Sequence, residues 1–141
     1  MFDRKALPSH KGDMDKLILV AAGGAVGAVA RYLTGLAALR SLGAAWPYGT
    51  LAVNVVGGFA MGLLAALLAA RGEADQDRWR LLLGVGVLGG FTTFSAFSLE
   101  MAMMIERREW ASAFTYSTVS VMASVVALFA GMMLARRLVA A

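Results

Sequence analysis

The chain contains no cysteine, a single histidine and two prolines, and only 16% of its 141 residues are charged. Without cysteine it cannot form disulfides, thiolate metal sites or a cysteine nucleophile. The one histidine, His10, lies in a charged N-terminal stretch, and no cluster of histidines and carboxylates indicates a metal centre or an acid–base pair. The sequence therefore offers no residues for enzymatic chemistry, and we predict that the protein is not an enzyme.

Apolar residues, in contrast, are abundant: they make up 60% of the chain, and the mean hydropathy is +0.71. A soluble domain of this size needs more polar residues to cover its surface. Runs of about 20 apolar residues, long enough to cross a bilayer, occur four times. The predicted spans cover residues 17–39, 49–70, 81–105 and 111–134. We predict an all-α integral membrane protein, with a charged, disordered leader at 1–16, a four-helix membrane domain at 17–137 and a tail at 138–141.

The formal charge of +4 comes from Lys and Arg at the helix ends, which is ordinary for a membrane protein and does not indicate nucleic-acid binding. Both termini and the 71–80 loop fall on one side of the membrane. When Arg4, Lys5 and Lys11 of the leader are left out, the basic residues are Lys16, Arg71, Arg78, Arg80, Arg136 and Arg137 on that side, and Arg31, Arg40, Arg107 and Arg108 on the other. The whole chain favours cytoplasmic termini, but without the leader the near balance favours insertion in both orientations and an antiparallel dimer.

Glycines recur at the spacing that lets membrane helices approach closely. Gly23–Gly27, Gly58–Gly62 and Gly86–Gly90 are each pairs of small residues four positions apart. In lipid, helices associate through packing rather than through hydrophobicity, so these pairs predict helix contacts. Four short helices enclose little of a polar pathway, and we therefore expect an oligomer.

The third span contains "GGFTTFSAFSLE", residues 89–100, with Thr93 near its midpoint. Gly89 and Gly90 weaken a helix, and the two β-branched threonines add to that cost. The glycines could form a packing notch in a continuous helix. Alternatively, the helix breaks here and frees backbone carbonyls, which hydrocarbon tolerates only beside protein, an ion or water. The pattern by itself leaves both interpretations open.

Phe94 and Phe97 lie three residues apart and so share a helix face. Such side chains commonly face lipid or pack in a core, but the ring edge carries partial positive charge and can meet an anion. Glu100, further along the span, still lies at hydrocarbon depth. A carboxylate there is costly, and its position makes it a functional-site hypothesis.

Other polar residues at membrane depth have two readings each. Asn54, one turn after Thr50, could join helices or face a passing ion. Tyr116, Ser120 and Ser124 form a hydroxyl stripe that could line a polar track or bond back to its own helix. Arg31 could reach the far interface or add positive potential to a vestibule.

Four segments together resemble the Fluc (CrcB) family of fluoride channels: "GGAVGAVARY", "GTLAVNVVGGF", "GGFTTFSAFSLE" and "YSTVSVMAS". The match extends over all four spans in order. The resemblance implies a dual-topology, antiparallel homodimer in the cell (inner) membrane, surrounded by lipid, with two anion pores. It also implies passive export of cytoplasmic fluoride, hence fluoride resistance. A structural Na⁺ at the dimer interface would be held by backbone carbonyls where the third helix is broken near the bilayer centre.

The resemblance also carries residue assignments. Backbone carbonyls of Gly89 and Thr92 would hold the sodium ion, and Arg31 would be the vestibule arginine. The implied pore and anion-binding residues are Asn54, Thr93, Phe94, Phe97, Tyr116, Ser120 and Ser124. Glu100 matches an acidic position after the motif. The chain departs from the family in having Ala96 where a threonine is common between the two phenylalanines.

The alternative is a proton-coupled exporter of the small multidrug resistance type, which also has four short helices in a dimer. Such an exporter needs a membrane-embedded glutamate in the first span, and this chain has none there. A subunit that only supports assembly would explain the glycine pairs but not the clustered Asn, Thr, Ser and Phe. The sequence therefore predicts a fluoride channel.

Overall fold

The computed structural model describes residues 10–70 and 76–140, and regular structure in these ranges is helical throughout. The elements are α1 (His10–Leu42), α2 (Tyr48–Ala69), α3 (Gln76–Trp79), a π-helix (Arg80–Leu88), α4 (Gly89–Phe91), α5 (Phe94–Glu106) and α6 (Trp110–Ala140). Of the predicted leader, residues 1–9 lie outside the described residues. The remainder is helical, because α1 begins at His10, and Asp13 in its first turn suits the positive end of the helix dipole.

Four helical stretches among the described residues are long and apolar enough to cross a membrane. They cover Gly12–Leu42, Tyr48–Ala69, Gln76–Glu106 and Trp110–Ala140. This confirms the prediction of a four-span, all-helical protein. Many large apolar side chains on these helices face outwards, among them Val26, Val126 and Phe129, each about 60% exposed. That surface suits hydrocarbon and not water.

The third span, Gln76–Glu106, changes its backbone conformation along its length. A π-helix occupies Arg80–Leu88 and leads into the single α-turn of α4. Thr92 and Thr93 are then extended, with φ −79°, ψ 160° and φ −152°, ψ 121°, before α5 begins at Phe94. The sequence placed the weak point at Gly89 and Gly90, but both residues are helical, and the extended backbone starts two residues later.

Close packing against α1 explains why the glycines stay helical. A methyl group on Gly90 would lie 2.5 Å from the Gly24 carbonyl oxygen, and one on Gly86 would lie 2.9 Å from the Gly23 Cα. A methyl group on Gly27 would overlap the Val87 carbonyl. The glycines therefore allow two backbones to touch, while the extended residues are threonines, whose branched Cβ suits that conformation.

A second glycine contact joins α2 to α6. A methyl group on Gly58 would lie 2.8 Å from the Ser124 carbonyl oxygen, and one on Gly62 would overlap the Leu128 carbonyl. From the other helix, Gly131 meets the Phe59 carbonyl in the same way. The two contacts give two closely packed helix pairs, α1 with the first half of the third span and α2 with α6. The second half, α5, reaches the rest mainly through side chains.

Candidate functional site

Asn54 of α2 is hydrogen-bonded to both backbone groups of the extended Thr93. Its Nδ2 donates to the Thr93 carbonyl oxygen at 3.0 Å, and its Oδ1 accepts from the Thr93 amide at 2.8 Å. The pairing fixes the orientation of the side-chain amide, because only its nitrogen can donate to a carbonyl. Asn54 thus satisfies both backbone polar groups of a residue that has left the helix in an apolar setting, where each unpaired group costs several kcal/mol.

Thr92 and Thr93 use their side chains to support the same bend. The Thr93 hydroxyl, in a residue only 7% exposed, accepts from the Ala96 amide at 3.1 Å and caps the start of α5. The Thr92 hydroxyl donates to the Leu88 carbonyl at 2.9 Å, closing the end of the preceding helix. Its methyl group sits where a side chain at Gly57 would be. A glycine on α2 therefore makes room for the bend.

These bonds redirect two amides that a continuous helix would use otherwise. Helical bonding would join the Thr93 amide to the Gly89 carbonyl and the Ala96 amide to the Thr92 carbonyl. Instead, the first donates to Asn54 Oδ1 and the second to Thr93 Oγ1. Both carbonyls that the family resemblance assigns to sodium have lost their helical donors.

Phe94 and Phe97 lie side by side at the start of α5, with ring centroids 5.6 Å apart and planes at 40°. The Phe94 side chain is 77% exposed in the single subunit. Phe97 is half-buried, and its ring centroid is 5.2 Å from that of Tyr116. The two rings therefore form one aromatic surface that is open at Phe94 and anchored at Phe97.

Glu100 is held by two hydroxyl groups from different helices. Thr50 of α2 donates to Oε1 and Tyr116 of α6 donates to Oε2, both at 2.6 Å. Tyr116 is fully buried, and the Trp46 and Tyr116 rings pack in a T-shaped arrangement at a centroid distance of 5.3 Å. The carboxylate thus joins three helices through short bonds to a charged acceptor.

The hydroxyls of Ser120 and Ser124 are buried and have no hydrogen-bond partner among the described residues. Other hydroxyls in the chain do bond to their own helix, as Thr34 does with Ala30 and Ser98 with Phe94. The back-bonding alternative is therefore not seen for Ser120 and Ser124. A buried hydroxyl without a hydrogen-bond partner costs free energy, so a ligand that hydrogen-bonds to it binds more favourably.

A cavity of about 380 Å³ unites much of the predicted site. Its polar and aromatic lining consists of Asn54, Thr92, Thr93, Phe94, Phe97, Ser120 and Ser124. Glu100 and Thr50 line a second cavity of about 340 Å³, with Trp46, Tyr48 and Arg107. Tyr116 bridges the two through Phe97 and Glu100.

The remaining predicted residues lie apart from the larger cavity. Gly89 is in the helical turn before the bend. Its connection with the bend is that its carbonyl has lost the Thr93 amide as a helical donor. Arg31, on α1, is partly exposed and lines neither cavity. The vestibule role of Arg31 stays a prediction.

Three residues that contribute to the site were not assigned from sequence: Thr50, Trp46 and Gly57. Thr50 was identifiable as a hydroxyl one turn before Asn54, so both face α5 from the same side of α2. Nothing in the sequence context of Trp46 indicates its contact with Tyr116. Gly57 adjoins the predicted Gly58–Gly62 pair, and only the position of Thr92 explains it.

A multi-pass membrane protein with a cavity lined by aromatic, hydroxyl and amide side chains is the class that this fold and site define. Residues 18–132 match the model of the family described as CrcB-like protein, Camphor Resistance (CrcB), and the chain belongs to this family.

The chain is also similar to curated proteins named fluoride-specific ion channel FluC. It is 67% identical over 125 residues to that of Caulobacter sp. (strain K31), covering 89% of this chain and 98% of the relative. The identity is 62% over 127 residues with the protein of Caulobacter vibrioides (strain NA1000 / CB15N), and 67% over 127 residues with that of Phenylobacterium zucineum (strain HLK1). In both cases 90% of this chain and all of the relative are covered.

Proposed function

We propose that this chain forms a fluoride-selective channel that lets cytoplasmic fluoride leave the cell passively through the cell membrane. The observation that carries the proposal is the larger cavity, which combines two phenyl rings with two buried hydroxyls that lack partners. The relatives at 62% and 67% identity are named fluoride-specific ion channels, and an ion channel is not an enzyme.

A dehydrated fluoride ion needs groups that replace its water shell without holding it permanently. Among the described residues, no protein acceptor meets hydrogen-bond geometry with the hydroxyls of Ser120 and Ser124, so their protons are available to donate. Phe94 and Phe97 line the same cavity, and the positive edges of such rings can offer weaker contacts to an anion. Outward movement needs no energy source, because a negative-inside potential favours anion exit by about 2.3 kcal/mol per 100 mV.

The functional unit in this proposal is an antiparallel homodimer with two pores, and the bends at Thr92 and Thr93 lie near the bilayer centre. One support is that the cavity is open in the single subunit, with Phe94 77% exposed on its wall. A second copy would close it against lipid. The other support is the near balance of basic residues at the two membrane faces, which favours insertion in both orientations.

A structural sodium ion between the two subunits also belongs to the proposal. The carbonyls of Gly89 and Thr92 have lost their helical donors, and oxygen atoms are the ligands that a hard cation prefers. Two copies around a two-fold axis would supply four such carbonyls. A bound cation would offset their dipoles and make the centre electropositive, which favours an anion nearby.

Fluoride efflux from liposomes tests the function. Purified protein in liposomes loaded with potassium fluoride, with valinomycin to carry the counter-charge, should release fluoride without a proton gradient. Chloride-loaded liposomes are the control and should retain their anion. Release that requires an imposed proton gradient would identify the exporter alternative, and release no faster than from protein-free liposomes would overturn transport of fluoride altogether.

Cysteine labelling tests the dual topology, and the absence of native cysteine leaves no background. A single cysteine in place of Gln76 should react with a membrane-impermeant maleimide from either side of the membrane, each treatment leaving about half of the protein unlabelled. Labelling that is complete from one side would contradict the antiparallel arrangement.

A further inference from the structure

Two side chains take over the hydrogen bonds that would otherwise close the bend in the third span. The Thr93 amide donates to Asn54 Oδ1 at 2.8 Å, and the Ala96 amide donates to Thr93 Oγ1 at 3.1 Å. In a continuous helix these amides would occupy the carbonyls of Gly89 and Thr92. Asn54 Oδ1 therefore replaces the Gly89 carbonyl as an acceptor, and Thr93 Oγ1 replaces the Thr92 carbonyl.

We propose that Asn54 and Thr93 are positioning residues for the cation site: their side-chain oxygens keep the Gly89 and Thr92 carbonyls free to bind sodium. The inference rests on the sodium ion of the proposed function. It changes the role expected for Asn54, whose amide lines the cavity but uses both its oxygen and a nitrogen proton on the Thr93 backbone.

The geometry around Asn54 supports a positioning role rather than simple helix contact. Its two bonds hold the amide and the carbonyl of Thr93, which belong to consecutive peptide groups, and so fix the backbone on both sides of this residue. The Thr93 carbonyl is therefore satisfied by α2, whereas no described side chain of α2 donates to the carbonyls of Gly89 and Thr92. The bonds of Asn54 thus determine which carbonyl oxygens of the bend stay open for an ion. One turn earlier on α2, Thr50 holds the other end of residues 93–100 through its bond to Glu100.

Sodium dependence of thermal unfolding tests the proposal independently of transport. The unfolding temperature of the purified full-length protein is measured while sodium replaces choline at constant ionic strength. Asn54→Ala and Thr93→Val should each raise the sodium concentration at half-maximal stabilisation by about tenfold, as loss of groups that orient metal ligands does. Thr93→Ser keeps the acceptor oxygen and should retain the wild-type midpoint.

Ser120→Ala is the matched control, because Ser120 lines the same cavity but makes no bond to the bend. It should reduce fluoride flux and leave the sodium midpoint unchanged. A wild-type sodium midpoint in Asn54→Ala or in Thr93→Val would overturn the proposal for that residue, even if its flux falls. A wild-type protein that conducts fluoride but gains no stability from sodium would overturn the inference while leaving the channel function intact.

Amide hydrogen exchange of the wild-type protein provides a readout that needs no variant to fold. The Thr93 and Ala96 amides should stay protected to within about tenfold of their helical neighbours, with sodium present or replaced by choline, because their acceptors are side chains. If either amide exchanges as fast as an unprotected amide while sodium is present, the proposal that side-chain oxygens replace the backbone acceptors is wrong.

Discussion

The two halves of the third span are held in place by different forces. Residues 80–91 pack backbone to backbone against α1, where Gly86 and Gly90 meet Gly23 and Gly24. After the extended threonines, α5 is tied to its neighbours by side-chain hydrogen bonds, chiefly those of Glu100 with α2 and α6. Steric fit therefore governs the first half, and polar chemistry governs the second. Substitutions should divide accordingly between lost folding and lost conduction.

The largest effect is expected in the glycine-packed half. Gly23→Ala should destabilise the protein by about 3 kcal/mol, the upper end for overpacking, because the new methyl would overlap the Leu82 carbonyl and lie 3.0 Å from Gly86 Cα. Gly24→Ala is the matched control, since a methyl there meets nothing within 4 Å. Unfolding of both purified variants in denaturing detergent measures the difference, and equal stabilities would refute the close approach.

In the polar half, replacing either phenylalanine should impair conduction more than folding. Phe94→Ile and Phe97→Ile keep apolar bulk but remove the ring quadrupole, so fluoride flux should fall by about tenfold, or 1.4 kcal/mol, in each. Size-exclusion chromatography checks that the dimer persists. Phe94 is the cleaner position, because its side chain is 77% exposed in the subunit, and normal flux in Phe94→Ile would return it to a packing role.

A double-mutant cycle on Glu100 and Tyr116 tests whether the hydroxyl–carboxylate bond holds α5 to α6. Glu100→Ala and Tyr116→Phe each remove one partner of the 2.6 Å bond, leaving the other group buried and less satisfied. We expect a coupling energy of about 1 kcal/mol in the free energy of unfolding. Strictly additive effects would mean that the two side chains do not support each other.

The smallest effect is expected at the turn between α5 and α6, outside both halves. Arg108 has a positive φ of 61°, a conformation that suits glycine, so Arg108→Gly should stabilise the fold by about 0.5 to 1 kcal/mol. Gly43, with φ 78°, offers the reverse change, and Gly43→Ala should destabilise the fold by a similar amount. Thermal unfolding checks both signs, and a destabilised Arg108→Gly would contradict the strain.

Hydropathy and small-residue spacing were enough to predict the four spans and the glycine contacts, because both depend on patterns within a single helix. The family resemblance placed Asn54, Phe94, Ser120 and Ser124 in one predicted site, and the larger cavity contains all four. Their roles toward an ion stay predictions.

The rest depends on partners that no single helix reveals. Gly89 and Gly90 were interpreted as the weak point, but the packing of α1 on their helix decides that they stay helical. Asn54 bonds to the backbone of Thr93, so the sequence contains no complementary side chain from which this contact could be predicted. The hydroxyl partners of Glu100 come from two other helices. Local patterns cannot predict contacts of this kind, because they arise only once the helices are assembled.

The glycine contacts also constrain how this chain can change over generations. Every coding change of one nucleotide that replaces glycine installs a Cβ atom. At Gly27, Gly62 and Gly131 that atom would overlap the carbonyl of a neighbouring helix. These positions therefore have no acceptable one-step alternative, and a larger residue can enter only after the opposing helix has shifted. Single substitutions are therefore tolerated less well at these glycines than at the polar positions, several of which accept a side chain of the same size and shape.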